Sequence, residues 1–142
     1  MKKFTSLFLI GVILLVFGSV GFAAPAAPFT DVMVYAVGSE QYGDYEYIDY
    51  NQFTTLEDHG GTPFYIVTAD FGYSRQSSRI AKLNGIKLNL VYTDYVDTNG
   101  DSIVDVFLYY WDASGQTGGN FTYQATSENY PWNTYSDSII IK

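Results

Sequence analysis

The chain has 142 residues, fifteen acidic and seven basic, with no cysteine and a single histidine, His59. Disulfide staples and metal sites built on thiolates are excluded, and one histidine leaves soft or borderline metals few ligands, so oxygen-loving cations remain. The acidic balance repels phosphate, which argues against nucleic acid and anionic membrane as partners and favours cations and basic proteins.

Residues 1–24 begin with Lys2 and Lys3, run through the apolar stretch 7–17 and close on small residues before Pro25. This is the layout of a secretory signal peptide. Cleavage after Ala23 is the preferred reading; Ala26 is a second site, and an uncleaved anchor is the alternative, because the apolar stretch is nearly long enough to span a bilayer. The expected organisation is a signal peptide at 1–23, an extended Ala/Pro leader at 24–28 and one domain at 29–142 of a secreted, extracellular protein, with no membrane attachment after cleavage. Removing Lys2 and Lys3 leaves five bases against fifteen acids, a net charge of −10 on about 119 residues, enough for one core and too few for two.

Beyond the leader the chain reads as strands. Residues 31–37 form a β-branched and aromatic run closed by Gly38, and residues 45–50 alternate tyrosines with acids. Gly60, Gly61 and Pro63 mark a turn before a strand at 64–70. Residues 74–84 have room for one helical turn. Ile86, Leu88, Leu90 and Tyr92 then alternate with polar neighbours, the period of a half-buried strand. Residues 103–111 are apolar or aromatic almost throughout, as in a central strand covered on both faces. Residues 121–125 and 138–141 supply two more strands, with a loop at 115–120 before the first of them. The expected fold is all-β: a single antiparallel β-sandwich or partly closed barrel of about seven strands.

Between the strands expected at 87–96 and 103–111 lies Asp97-Thr98-Asn99-Gly100-Asp101-Ser102-Ile103-Val104-Asp105, expected at the tip of a hairpin. Asn99-Gly100 is by itself a strong hairpin signal. It does not explain aspartates at 97, 101 and 105, whose convergence is costly without a cation, and oxygen donors at positions 1, 3, 5 and 9 supply much of a calcium shell. The loop resembles the first nine positions of EF-hand type loops, and more so the bacterial dockerin and thrombospondin type 3 variants. The resemblance implies side-chain ligands at Asp97, Asn99, Asp101 and Asp105 and the carbonyl of Ile103. Two departures stand out: Ser102 takes the place of the glycine at the sharp turn, and Leu108 that of the closing glutamate, leaving Asp94, Asp112 or water to complete the shell. The expected cofactor is a weakly held structural calcium. Over its whole length the chain, from its leader, its size and stretches such as Tyr45-Glu46-Tyr47-Ile48, also resembles small exported proteins of unknown function from Gram-positive bacteria and their prophages.

Other constellations have plainer readings. Tyr45 with Tyr47, and Tyr109 with Trp111, are same-face pairs able to stack on sugar rings, although tyrosine also packs well on any pleated surface. Trp132 falls in a loop, where exposure would favour binding. His59 between Asp58 and Gly60 reads as a polar turn, with no nucleophile identifiable and no catalytic residue assigned. Arg75, Arg79, Lys82 and Lys87 gather most of the mature chain's positive charge, readable as a docking patch for an acidic polymer or as ordinary solvated residues. The functional expectation is a non-enzymatic extracellular binding or accessory protein with a calcium-ordered hairpin. The alternatives are a carbohydrate or cell-wall polysaccharide binding module and, third, a hydrolase or protease inhibitor.

Overall fold

A computed structural model describes residues 26–142; the expected signal peptide at 1–23 and the start of the leader lie outside them. The β-branched and aromatic runs form nine strands: β1 Asp31–Ser39, β2 Tyr45–Tyr47, β3 Phe64–Phe71, β4 Ile80–Leu83, β5 Ile86–Lys87, β6 Asn89–Val96, β7 Val106–Asp112, β8 Gly119–Thr126 and β9 Thr134–Ile141. They make a five-stranded sheet in the order β2-β1-β3-β7-β6 and a four-stranded sheet in the order β5-β4-β8-β9. All strand pairs are antiparallel and the two sheets do not close on each other, so the fold is a β-sandwich and the barrel alternative falls away.

The core follows from period-two patterning. In β8, Phe121, Tyr123 and Ala125 are buried while Asn120, Thr122 and Gln124 face water. Against them the five-stranded sheet presents Val32 and Val34, Phe64 and Ile66, and Tyr109 and Trp111. Ile139 and Ile141 of β9 and Leu83 of β4 complete the layer.

Three strand expectations are corrected. The apparent strand through residues 86–92 is two strands in different sheets, joined at Leu88, which is buried and donates its N–H to the Ala81 carbonyl at 2.9 Å. All eight residues of β6 are exposed, so it is not half-buried. It lies at the sheet edge, where the neighbouring edge strand of the other sheet, β5, has two residues and cannot cover it. The run 103–111 is not covered on both faces: β7 starts at Val106, and Val106, Leu108 and Tyr110 face outward while Tyr109 and Trp111 face in. Residues 74–84 hold a 3-10 turn, Gln76–Ser78, but continue directly into β4, which the count of seven strands omitted.

At Gly72, φ is +95° and any Cβ would strike the Pro28 backbone. A glycine there lets residues 27–30 lie across the end of β3, where Tyr73 N–H donates to Ala27 and Thr30 N–H to Phe71.

Phe121→Ala, at a fully buried ring, is expected to lower stability by about 3–5 kcal/mol, and the exposed neighbour Thr122→Ala by no more than about 0.5 kcal/mol. Urea unfolding measures both. Equal effects at the two positions would contradict this facing of β8.

Candidate functional site

The acidic loop is where the sequence places it, joining β6 to β7 beyond the last rung, Val96 to Val106. Its side chains fold the backbone. Asp97 accepts N–H bonds from Asn99, Gly100 and Ser102 at 3.2, 2.7 and 2.8 Å. Asn99 accepts from Asp101 at 2.9 Å and Asp101 from Ile103 at 2.8 Å, successive turns closed by a side chain two residues back. Asp105 accepts from both the N–H and hydroxyl of Thr98, at 2.8 and 2.6 Å. Gly100 and Ser102 both take positive φ, 77° and 68°, so the sharp turn at the sixth position is made with a serine. Partial desolvation acts to raise the Asp97 pKa, but the N–H groups of Ser102, Gly100, Asn99 and Asp101 outweigh it and hold the carboxyl below its ordinary value.

Asp97, Asn99, Asp101, Ile103 and Asp105 thus share one loop. Among the described residues, no three carboxylate or histidine side chains are already gathered as a metal cage. Of the supplementary candidates, Asp94 lies on β6 opposite Leu108, and Asp112 pairs with Asn89 at the far end of the hairpin, too remote to join the tip.

The second feature is the outer face of the five-stranded sheet. Register puts Tyr45 and Tyr47 of β2, Tyr65 of β3, Tyr110 of β7 and Tyr92 of β6 on the side away from the core, and Tyr35, at the bulge of β1, joins them beside Tyr47. Val67 and Ala69 share that side and are nonetheless 1% exposed, because these neighbours cover them. Tyr35 meets Tyr47 edge-on at 5.6 Å, Tyr92 meets Tyr110 at 5.3 Å, and the Tyr45 ring lies against Gly38 where a side chain would collide. Beside the Tyr35–Tyr47 pair runs an apolar groove of about 460 Å³ lined also by Met33, Phe71, Val106 and Leu108. Tyr109 and Trp111, the other pair considered for stacking, point into the core, where Trp111 Nε1–H donates to Thr68 at 2.8 Å. Trp132 and Tyr130 are exposed in the loop before β9, with rings perpendicular at 5.5 Å.

Two buried polar clusters escaped sequence reading. His59 is not a solvated turn residue but 2% exposed. Its Nε2–H donates to Glu46 at 3.0 Å, and Nδ1 shares a 3.0 Å bond with the Ser39 hydroxyl. Burial acts to raise the Glu46 pKa, but bonds from Leu56 N–H, His59, Glu57 N–H and Gln52 outweigh it and the carboxyl stays below its ordinary value. The order hydroxyl, imidazole, carboxylate is that of a nucleophile relay, yet the four N–H groups that follow Ser39 are committed. Tyr42 donates to the Ser39 hydroxyl itself, Glu40 to Pro63, Gln41 to Gly60 and Gly43 to Ser39. An oxyanion hole uses such donors; here these four close the loop after Ser39.

Asp70, fully buried in β3, accepts from Tyr123 across the sandwich at 2.8 Å and from Ser74, with Arg79 Nε at 3.9 Å. Arg79 lies 4.3 Å from the centre of the Tyr109 ring and donates to Ser74, so its half-buried guanidinium is held at the edge of the core, where it lines a surface pocket together with Lys87. Burial pushes the Asp70 carboxyl up to about 6 against the hydrogen bonds of Ser74 and Tyr123 and the charge of Arg79. Burial also raises the Tyr109 hydroxyl, to about 12, and the Tyr123 hydroxyl, where the Asp70 charge adds to it. Each partner is distant in sequence, so no local motif announces the cluster; the one signal was an acid at an inward position of a strand.

The fold and surface define a β-sandwich that carries an acidic hairpin loop beside an aromatic outer face. Residues 24–141 match the family described as Domain of unknown function (DUF4879), and the chain belongs to that family. No curated protein matches it.

With a folded pKa near 6 against an ordinary 3.8, Asp70 binds more protons in the native than in the unfolded state between those values. Its contribution to stability therefore falls as pH rises through that window and is flat above it. The stability of wild type minus that of Asp70→Asn should drop by about 2 kcal/mol from pH 4 to pH 7, read from urea midpoints. The Glu46 contribution, lost only as pH falls below 4.5, is present in both proteins and cancels. A difference that rises with pH would contradict the assignment.

Proposed function

We propose that this protein is a secreted, non-enzymatic binding module whose working surface is the outer face of the five-stranded sheet, with one weakly bound structural calcium ordering the adjacent β6–β7 loop. The supporting observation is the groove. The outer face of a sandwich sheet is ordinarily polar, whereas this one carries six tyrosines and an apolar groove that two of them, Tyr35 and Tyr47, border. Exposed contiguous apolar surface of this kind marks an interaction site. The loop supports the calcium reading through its donor spacing and through the positive φ at Gly100 and Ser102. Val96 and Thr98, at its entry, also line the groove, so ordering the loop fixes one groove wall.

The neutral dye Nile red should brighten on the folded protein and lose most of that signal in Tyr47→Asp with an unchanged melting curve. A signal that survives the substitution places the apolar surface elsewhere. For calcium, an affinity of about 0.1–1 mM and about 1 mM free ion give roughly 0.4–1.4 kcal/mol of stabilisation. That raises the melting temperature by about 2–6 °C over chelator. Asp101→Ala should abolish the rise, and a melting curve indifferent to calcium would sink this half of the reading.

A second reading, carbohydrate binding, draws on Trp132, 61% exposed beside Tyr130 in the loop before β9. Retention on an insoluble polysaccharide that Trp132→Ala abolishes would favour it.

A further inference from the structure

The chemistry around the groove points to a particular occupant. On the outer face Asp31 pairs with Phe71 and Asp94 with Leu108, so each of these groove-lining residues has a carboxylate directly beside it. Asp105 borders a second cavity of about 350 Å³ that shares Phe71, Thr98 and Val106 with the groove and so extends it. No lysine or arginine occurs in any of the five strands of this sheet. Lys82 and Lys87 pair with each other on the opposite sheet, and Arg79 is committed to Asp70 and Tyr109. The groove is therefore apolar on its floor, aromatic on its ridges and carboxylate-bearing at its rim.

We infer that the groove receives a cationic, apolar peptide segment of another protein, its aliphatic or aromatic side chains on the floor and its lysines or arginines against Asp31, Asp94 and Asp105. This rests on the outer face being the working surface. Tyrosine faces and carboxylates both attract ammonium and guanidinium groups, and an apolar floor selects peptides that also carry large hydrophobes. The same charges argue against a second copy of this chain, since apposing two such faces doubles three carboxylates without supplying one cation. A neutral sugar chain would leave the rim carboxylates without counterparts. The tyrosine rings also stand edge-on to one another instead of forming a flat platform.

The test uses the folded protein with its loop intact and three labelled probes at 0.15 M salt. These are a peptide of alternating leucine and lysine, the same peptide with glutamate for lysine, and a neutral hexose oligomer. Fluorescence anisotropy is expected to show micromolar binding of the lysine peptide alone. Tyr35→Ala/Tyr47→Ala should weaken it about tenfold, and Asp31→Asn/Asp94→Asn should weaken it similarly while flattening its salt dependence. Melting curves show that both variants remain folded. Binding of the lysine peptide that neither variant changes overturns the inference, since attraction to the acidic surface at large explains it. Binding of the glutamate peptide equal to that of the lysine peptide also overturns it. Tyrosine-dependent binding of the hexose oligomer alone overturns the cationic partner while leaving the face as the working surface. A dimer in sedimentation that Tyr47→Asp dissociates assigns the face to a second copy and overturns it as well. If none of the three probes binds, the inference fails, and the Nile red signal separately decides whether the face reading fails with it.

Discussion

The buried carboxylate of Asp70 sets the alignment of the two sheets. It projects from β3, the central strand of the five-stranded sheet, to the hydroxyl of Tyr123 on β8 of the other sheet. Apolar layers alone can slide over one another at little cost, but a buried charge must keep its partners or carry the full penalty of desolvation. Ser74 and Arg79 bind the same group from the connection that crosses between the sheets, and Arg79 is held in turn by the Tyr109 ring. Sheet stagger, the course of the connection and the start of β4 are thus fixed together. Among the described residues, no buried side-chain nitrogen or oxygen lacks a partner.

That alignment leaves sheets of unequal width, and the edges are handled differently. Glu46 reaches inward from β2, holds His59 and accepts the N–H groups of Leu56 and Glu57, so the loop before β3 is drawn across the molecule. Part of this loop runs along β9: Thr55 N–H donates to Ile140 and Ile140 N–H to Phe53, which seals the edge of the four-stranded sheet. At the other sheet β6 stays uncovered. A bulge between Leu90 and Tyr92 and the bond from Tyr95 N–H to Asp94 break up its free edge, which discourages edge-to-edge pairing. The open edge is protected, while the open face is apolar and unprotected, and this contrast makes the face the more informative surface.

Features decided by near neighbours were legible in the sequence. The Asn99-Gly100 hairpin, the alternation in β8 and the breaker around Pro63 all depend on residues a few positions apart. What was hidden depends on partners far along the chain: Asp70 and Tyr123 are 53 residues apart, and Ser39 meets His59 across twenty. The division at Leu88 was hidden for another reason. A strand that changes sheets keeps its period, so residues 86–92 read as one strand when they are two. The apolar run ending at Trp111 misled in the opposite sense, because strands buried on both faces and strands that present an apolar outer face have the same composition. Only the position of the other sheet distinguishes them.

The acidic loop and the aromatic face are coupled by geometry. Val96, Thr98 and Val106 belong to the ends of the β6–β7 hairpin and also line the groove, and Asp105 holds Thr98 in place. The loop carries three aspartates and no base, so its own charge works against compactness, and the short bonds to backbone N–H groups and to the Thr98 hydroxyl oppose this. A cation bound there would remove the repulsion and stiffen the wall that Thr98 forms, whereas a cationic side chain arriving in the groove would approach the same carboxylates from the other side. The two would therefore compete for one negative field. A metal that occupied the loop tightly would weaken the attraction of a basic ligand, while a weakly held one would order the wall and still leave the rim charges at Asp31 and Asp94 unneutralised.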